Sequence, residues 1–311
     1  MEAQLVEQRW KHPTWGPLKL RARLQELVPG VDWPAPSTIG EVLKRHGLVT
    51  ARPSSRAVTR PPLSPLTQAE SPNEVWTSDF KGQFRMGNRR LCYPLTVADS
   101  YSRFLLGLVG LDSVKESGAW PVFDRLFHEY GLPSAIRTDN GCPFASPSVA
   151  RLSRLSVRWL KLGIRLERIA PGHPEQNGSH ERMHRTLKDE TARPPADNAL
   201  LQQVRFDAFR REYNQERPHE ALGQRPPATR YQAGQRTYNG KVPEPEYPGH
   251  FEVRTVAAKG FFRWRGGEIF VSEALAGERI GLEETADGVW TVMFCSVLLA
   301  RFDERERKLY G

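Results

Sequence analysis

The spacing of hydrophobic positions changes character three times along the chain. In the first fifty residues Leu20, Leu24, Leu27 and Val28 recur at helical intervals, and Ile39, Val42 and Leu43 form a second apolar face. Two or three short helices are predicted there, with a break over 31–36. Thr38 and Glu41 have the spacing of a capping box, and Gly47 followed by Leu48 reads as a glycine-terminated helix end. Residues 51–72 contain Pro53, Pro61, Pro62, Pro65 and Pro72, which predict a semi-extended linker carrying Arg52, Arg56 and Arg60.

From Glu74 the period shortens. Val75–Phe84, Leu91–Ala98 and Phe104–Leu111 are apolar or β-branched runs parted by polar breaks, the pattern of a meander of three strands. Trp120, Phe123, Leu126, Phe127 and Tyr130 then predict a helix closed by Gly131 and Pro133, with Pro121 limiting its upstream reach. Ala135–Thr138 reads as a short strand, Ser148–Leu162 as a helix and Ile164–Ile169 as a strand. Helices over Gly178–Ala192 and Asn198–Asn214 follow. Three strands and then alternating helices and strands imply a mixed α/β sheet flanked by helices. Beyond Gly240 the strand pattern returns over Gly260–Val271, Arg279–Glu284 and Val289–Phe302, with glycine punctuation, and a small β-barrel is expected.

Charge sharpens this division. The 311-residue chain carries a formal +9, but unevenly. Residues 1–72 hold 10 Lys/Arg against 6 Asp/Glu, residues 73–240 hold 25 against 18, and residues 241–311 hold 10 against 12. The positive field of the first two segments suits a polyanion such as nucleic acid. Arg21, Arg23, Lys44 and Arg45 beside two short helices permit a DNA-reading helix-turn-helix; a small helical domain with solvated charges remains equally open. Cys92, Cys142 and Cys295 are odd in number and far apart, neither a disulfide framework nor a zinc spacing, so a reduced, cytoplasmic setting is expected. The longest apolar stretch is too short to span a bilayer, and no membrane partner is expected.

Three acidic residues stand out by context. Asp79 sits inside the first strand, where a carboxylate is costly unless paired, metal-bound or wet. Asp139 follows the strand 135–138, at the sheet end where α/β folds place ligands, although Asp-Asn-Gly is also a common turn. Glu181 lies early in the helix 178–192. At about 100° per residue, Met183 and Leu187 share one face, and Glu181, His184, Arg185 and Lys188 gather on the other. Two strand-borne Asp and one helix-borne Glu suit Mg²⁺ or Mn²⁺, which favour hard oxygen ligands, and could hold two ions. For Glu181 alone, an ordinary solvated face explains the pattern as well. Asp99 is read as a turn residue, His219 as structural, and Trp264 as packing rather than base-stacking.

Four segments, taken together in order, resemble the catalytic core of bacterial insertion-sequence DDE transposases with a retroviral-type integrase core. They are Trp76-Thr77-Ser78-Asp79, Thr138-Asp139-Asn140-Gly141, His173-Pro174-Glu175-Gln176-Asn177-Gly178 with Glu181 through Leu187, and Tyr213-Asn214-Gln215-Glu216-Arg217-Pro218-His219 with Pro226-Pro227-Ala228. His12-Pro13-Thr14-Trp15-Gly16 resembles the segment preceding that core. The resemblance implies a ribonuclease H-like core over 73–235, a helix-turn-helix domain over 1–50 and a small β-barrel over 240–311. It implies Asp79, Asp139 and Glu181 as catalytic and metal-holding residues. Asn140, His173, Asn177, Arg182, Arg185, Lys188, Lys44 and Arg45 become candidate DNA contacts. DNA, both element ends and target, is the implied partner, with a homo-oligomer in the synaptic complex. The family interval between the second Asp and the Glu is about 35 residues, which lands on Glu175. Glu181 is preferred because it stands on the helix after Asn-Gly, and a longer helix over 148–162 would absorb the six extra residues. Relatives usually carry a further helix-turn-helix upstream, so a shortened element product that only binds DNA stays open, as does a ribonuclease H-like nuclease.

Overall fold

A computed structural model describes residues 1–49, 66–80, 82–146, 151–170 and 178–310. His173, Glu175, Asn177, Arg52, Arg56, Arg60 and the start of the expected 148–162 helix lie outside them.

The first helices are α1 (Glu2–Lys11), α2 (Pro17–Leu27) and α3 (Pro36–Arg45). They close over Leu5, Trp15, Leu20, Leu24, Trp33, Ile39 and Leu43. The expected capping box at Thr38 is not made. The helix starts earlier, with Pro36 in its first turn, where a missing N–H costs nothing. Its end is as read: Gly47 has φ +67°, and Leu48 N–H donates to Leu43 O at 2.9 Å. Eight residues part α2 from α3, more than the three or four of a helix-turn-helix turn.

The central sheet contains β1 (Val75–Phe80), the short β2 (Phe84–Arg85), β3 (Leu91–Asp99) and β4 (Leu105–Leu111). After α4 (Glu116–Tyr130), β5 (Ala135–Thr138) and β6 (Arg165–Arg168) complete it, with α5 (Arg154–Lys161) between them. β4, β3 and β1 pair antiparallel; β5 joins β1, and β6 joins β5, in parallel. The order β4-β3-β1-β5-β6 makes a mixed sheet flanked by helices, the ribonuclease H-like core that the resemblance implies. Strand alternation sends Trp76, Leu95, Val97 and Ile136 to one face, against Phe123, Phe127 and Trp159 of α4 and α5. The other face meets α6 (Gly178–Thr191) and α7 (Ala199–Gln215) through Met183, Leu187, Phe206 and Phe209.

Two helices depart from expectation. α4 runs five residues upstream of Pro121, because the burial of Ala119 and Val122 offsets the lost bond. α5 begins at Arg154, not at 148, where Ser153 and Ser156 form a capping box. The extra residues between Asp139 and Glu181 are therefore not taken up by a longer helix.

The C-terminal strands are β7 (Glu252–Thr255), β8 (Phe261–Trp264), β9 (Gly267–Phe270), β10 (Arg279–Ala286), β11 (Val289–Phe294), β12 (Val297–Asp303) and β13 (Lys308–Tyr310). Five pair in the order β13-β12-β11-β10-β7, and β8–β9 is a separate hairpin. Among the described residues strand pairing does not close this layer into the expected barrel. Trp264 is buried against Trp290 and Phe302, as packing requires. The same cluster includes Val157 and Leu160 of α5, which tie the layer to the core. No described helix is long and apolar enough to cross a membrane.

Candidate active site

Asp79 and Asp139 meet by register. Val75, Trp76 and Thr77 of β1 stand opposite Ala135, Ile136 and Arg137 of β5. Continuing two residues brings Asp79 abreast of Asp139, on strands about 4.8 Å apart and on one face. That face is the one α6 covers. Both aspartates are half-buried, so neither carboxylate bears the full cost of desolvation. Gly141 N–H donates to Asp139 Oδ1 at 3.0 Å. A Cβ at Gly141 would lie 3.1 Å from Asp139 Oδ2, so a larger residue there would crowd the carboxylate. Asn140 donates its amide N–H to Ile169 O at 2.7 Å, which fastens the end of β5 to that of β6. Below them Arg137 pairs with Glu167 at 2.8 Å, both side chains nearly buried.

α6 is bolted to this face by two histidines. Thr96, opposite Asp79 in the β1–β3 register, donates its hydroxyl hydrogen to Asp79 O at 2.9 Å. Its oxygen lies 2.6 Å from His180 Nε2 and 2.7 Å from His184 Nε2. With the single hydroxyl hydrogen directed at Asp79, both Nε2 atoms must carry hydrogen and donate. His180 Nδ1 lies 3.0 Å from the Thr77 hydroxyl, which also reaches Ala98 O at 3.2 Å. Burial pushes the His180 imidazole down to about 3, so it is neutral at pH 7. His184 Nδ1 faces Asp79 Oδ2 at 3.6 Å.

His184 therefore leaves the face assigned to it from the sequence. It is buried with His180, Met183 and Leu187, four residues at helical spacing that form the sheet-facing stripe. Both histidines are polar groups that earn burial through hydrogen bonds, which residue type alone does not reveal; the His-x-x-x-His interval was the available signal. Glu181, Arg185 and Lys188 are exposed, as read, and Arg182 is too. Glu181 precedes His184 by three residues, one turn of the helix from the contact with Asp79. Among the described residues no group of three or more His, Cys, Asp or Glu is placed to hold a metal ion. The β1–β5 register, paired through Thr77 and Arg137 and continued two residues, aligns Asp79 with Asp139, and the described residues do not gather Glu181 into a metal-holding group with them.

Other candidates are structural or distant from the aspartates. Arg45 pairs with Glu2 at 3.3 Å, and Lys44 is exposed. Asp99 is buried as a turn residue, accepting from Ser102 N–H at 2.7 Å and Asn73 N–H at 2.8 Å. Asn214 accepts from Leu105 N–H at 2.8 Å and donates to Leu105 O at 3.0 Å, fixing α7 to β4. Arg217 pairs with Glu190 at 3.0 Å and lies over the Trp15 ring, while His12 stacks on Trp15. The His12–Gly16 and Tyr213–His219 motifs, some two hundred residues apart, are thus two halves of one junction.

Two integrase core domain models match residues 69–174 and 162–227, together about half the chain. The C-terminal domain of IS481-family transposases matches 251–309. An uncharacterized 39.2 kDa protein of insertion element IS476 from Xanthomonas euvesicatoria is 29% identical over 81% of this chain and 70% of its own length. An uncharacterized 31.7 kDa protein of insertion element IS407 from Burkholderia multivorans is 28% identical over 71% of this chain and 77% of its own. Among solved structures, the HTLV-2 integrase catalytic core domain in complex with magnesium aligns at a TM-score of 0.39 and 14% identity. It covers 53% of this chain and 100% of that one. On its integrase core, its IS481-type C-terminal domain and its insertion-element relatives, the chain belongs to the insertion-sequence transposases of the DDE superfamily.

Proposed function

We propose that the chain cuts DNA at element ends and joins the new 3′ ends to target DNA, using Asp79, Asp139 and Glu181. The observation that supports this reading most is the parallel register of β1 and β5 through Thr77 and Arg137, which two residues further on would align Asp79 with Asp139. Their hard oxygen donors fit Mg²⁺ or Mn²⁺. When bound, one or two such ions would supply Lewis-acid activation of the attacking oxygen and charge stabilisation at the leaving one. Asp79 and Asp139 would hold such an ion, with Glu181, on the first turn of α6, as the third ligand. Thr96, His180 and His184 keep α6 at its height above β1. The exposed stripe of Arg182, Arg185 and Lys188 positions phosphates without reading bases. Residues 1–50 act as the DNA-reading domain, 73–235 as the core and 240–311 as an accessory domain, in a homo-oligomer that works in the cytoplasm. His173 and Asn177 are retained as DNA contacts on the resemblance alone.

The test is incubation of the full chain with end-bearing duplex, Mn²⁺ and a target plasmid. Joined product is expected, and Asp79→Asn should abolish it; no joining by the unaltered chain would contradict the proposal. One observation favours a second reading, a DNA-binding product without strand transfer: Glu181 does not join the two aspartates in a metal-holding group. Salt-sensitive binding with no metal-dependent cutting would support it.

A further inference from the structure

A cleft of about 550 Å³ opens between α2, the turn before β4, α6 and the end of α7, away from the paired aspartates. Lys19, Arg103, Arg182 and Arg217 line it against one carboxylate, that of Glu220. Arg217 is neutralised by Glu190 and Glu212. Lys19, Arg103 and Arg182 form no ion pair within 4.0 Å among the described residues. Three side chains from three separate elements thus line one concavity without a close ion-pair partner, with Glu190, Glu212 and Glu220 acting on the Lys19 ammonium only at longer range. A protein does not gather like charges in this way without cost, because each raises the energy of the others. An oxyanion between them would remove the repulsion and accept a hydrogen bond from each. The buried Nε2 of His219, which has no hydrogen-bond partner among the described residues, belongs to the same lining.

We propose that this cleft is a phosphate site, filled by one backbone phosphodiester of bound DNA at the junction of the N-terminal helices with the core. The inference rests on the reading of the chain as DNA-processing. Burial first, then the Arg217 guanidinium, push the Lys19 ammonium down to about 8 against the opposing pull of Glu190, Glu220 and Glu212. A bound phosphate would restore it towards the ordinary lysine value. The site joins α2 to α6, so DNA held there is gripped by both the N-terminal helices and the helix that carries Glu181.

The test uses the full chain, with inorganic phosphate as one probe and an end-bearing duplex as the other. Phosphate should raise the melting temperature relative to chloride at equal ionic strength. Lys19→Gln and Arg182→Gln should each reduce that rise, and Lys11→Gln, an exposed lysine elsewhere, should not. On duplex DNA the Lys19→Gln/Arg182→Gln variant should lower the slope of log affinity against log salt by about 0.9, one phosphate contact. Its affinity relative to the unaltered chain should therefore differ roughly threefold between 50 and 200 mM salt. A phosphate-specific rise with an unchanged DNA slope would identify a free-phosphate site and overturn the assignment to DNA. Absence of any phosphate-specific rise would overturn the site itself. If the double variant does not fold, Arg182→Gln, at an exposed helix position, answers alone. Asp79→Asn should keep both signatures while losing joining, so the cleft and the catalytic reading can fail separately.

Discussion

The mouth between Asp79 and Asp139 and the junction around Arg217 are both rich in charge, yet they are built in opposite ways. At the junction Arg217 pairs with Glu190 and Glu212 and Arg23 with Glu216 at 3.2 Å, while His12 Nδ1 lies 3.3 Å from Glu212. At the mouth the two carboxylates are half-exposed, and His184 Nδ1 lies 3.6 Å from Asp79 Oδ2. The junction holds position; the mouth sets two partly exposed carboxylates on neighbouring strands. Between them runs α6, whose buried histidines serve the first purpose and whose exposed stripe serves the second.

The largest effect that would separate the two regions is catalytic. Asp139→Asn should lower joining by roughly 10³-fold or more, the scale of several kcal/mol of charge stabilisation, while moving the melting temperature little. A gel assay for joined product beside a thermal melt checks both halves. Arg217→Ala should do the reverse. It strands Glu190 and Glu212 at the junction and should cost about 3 kcal/mol in urea unfolding, reduced by the partial exposure of both partners. A loss under about 1 kcal/mol would show that the junction is not a structural clamp.

Thr96→Val tests the link between the regions. It leaves the Nε2–H groups of His180 and His184 without their acceptor and should cost about 2 kcal/mol. Joining should fall with it as Asp79 loses its neighbour's support. The mildest effect is on pH. Burial holds His180 and His219 down to about 3 in the folded chain, against about 6.5 unfolded. The unfolded state alone therefore takes up these protons between those values. Their contribution to stability is complete above about pH 6.5 and is lost as pH falls towards 3, each at roughly 1 kcal/mol per unit. Urea midpoints measured from pH 7 to 4 should decline, and His219→Gln should flatten the decline.

Local pattern made much of the core legible. β5 occupies the expected residues Ala135–Thr138, and α6 and α7 lie within a residue of their expected ends, because apolar period and glycine punctuation are written locally. Pro121 misled because a buried aromatic face outweighs one lost backbone bond, a balance that only packing reveals. The sheet-facing role of His184 was hidden because burial of an imidazole depends on hydroxyls from β1 and β3, about 100 residues distant. The junction was beyond local reading altogether: Thr14 and Arg217 meet across 203 residues. Asp79 was visible as an acid inside a strand and Asp139 as one at a strand's end, but their alignment needed the parallel register of β1 and β5.

The account turns on three carboxylates acting together, and Mn²⁺ binding to the full chain tests this most directly. Titration followed by the loss of the free-ion paramagnetic resonance signal should show binding that Asp79→Asn, Asp139→Asn and Glu181→Gln each weaken and Glu175→Gln leaves intact. Binding that survives Glu181→Gln but is lost in Glu175→Gln would contradict the choice of the helix-borne glutamate, and binding indifferent to both aspartates would contradict the site.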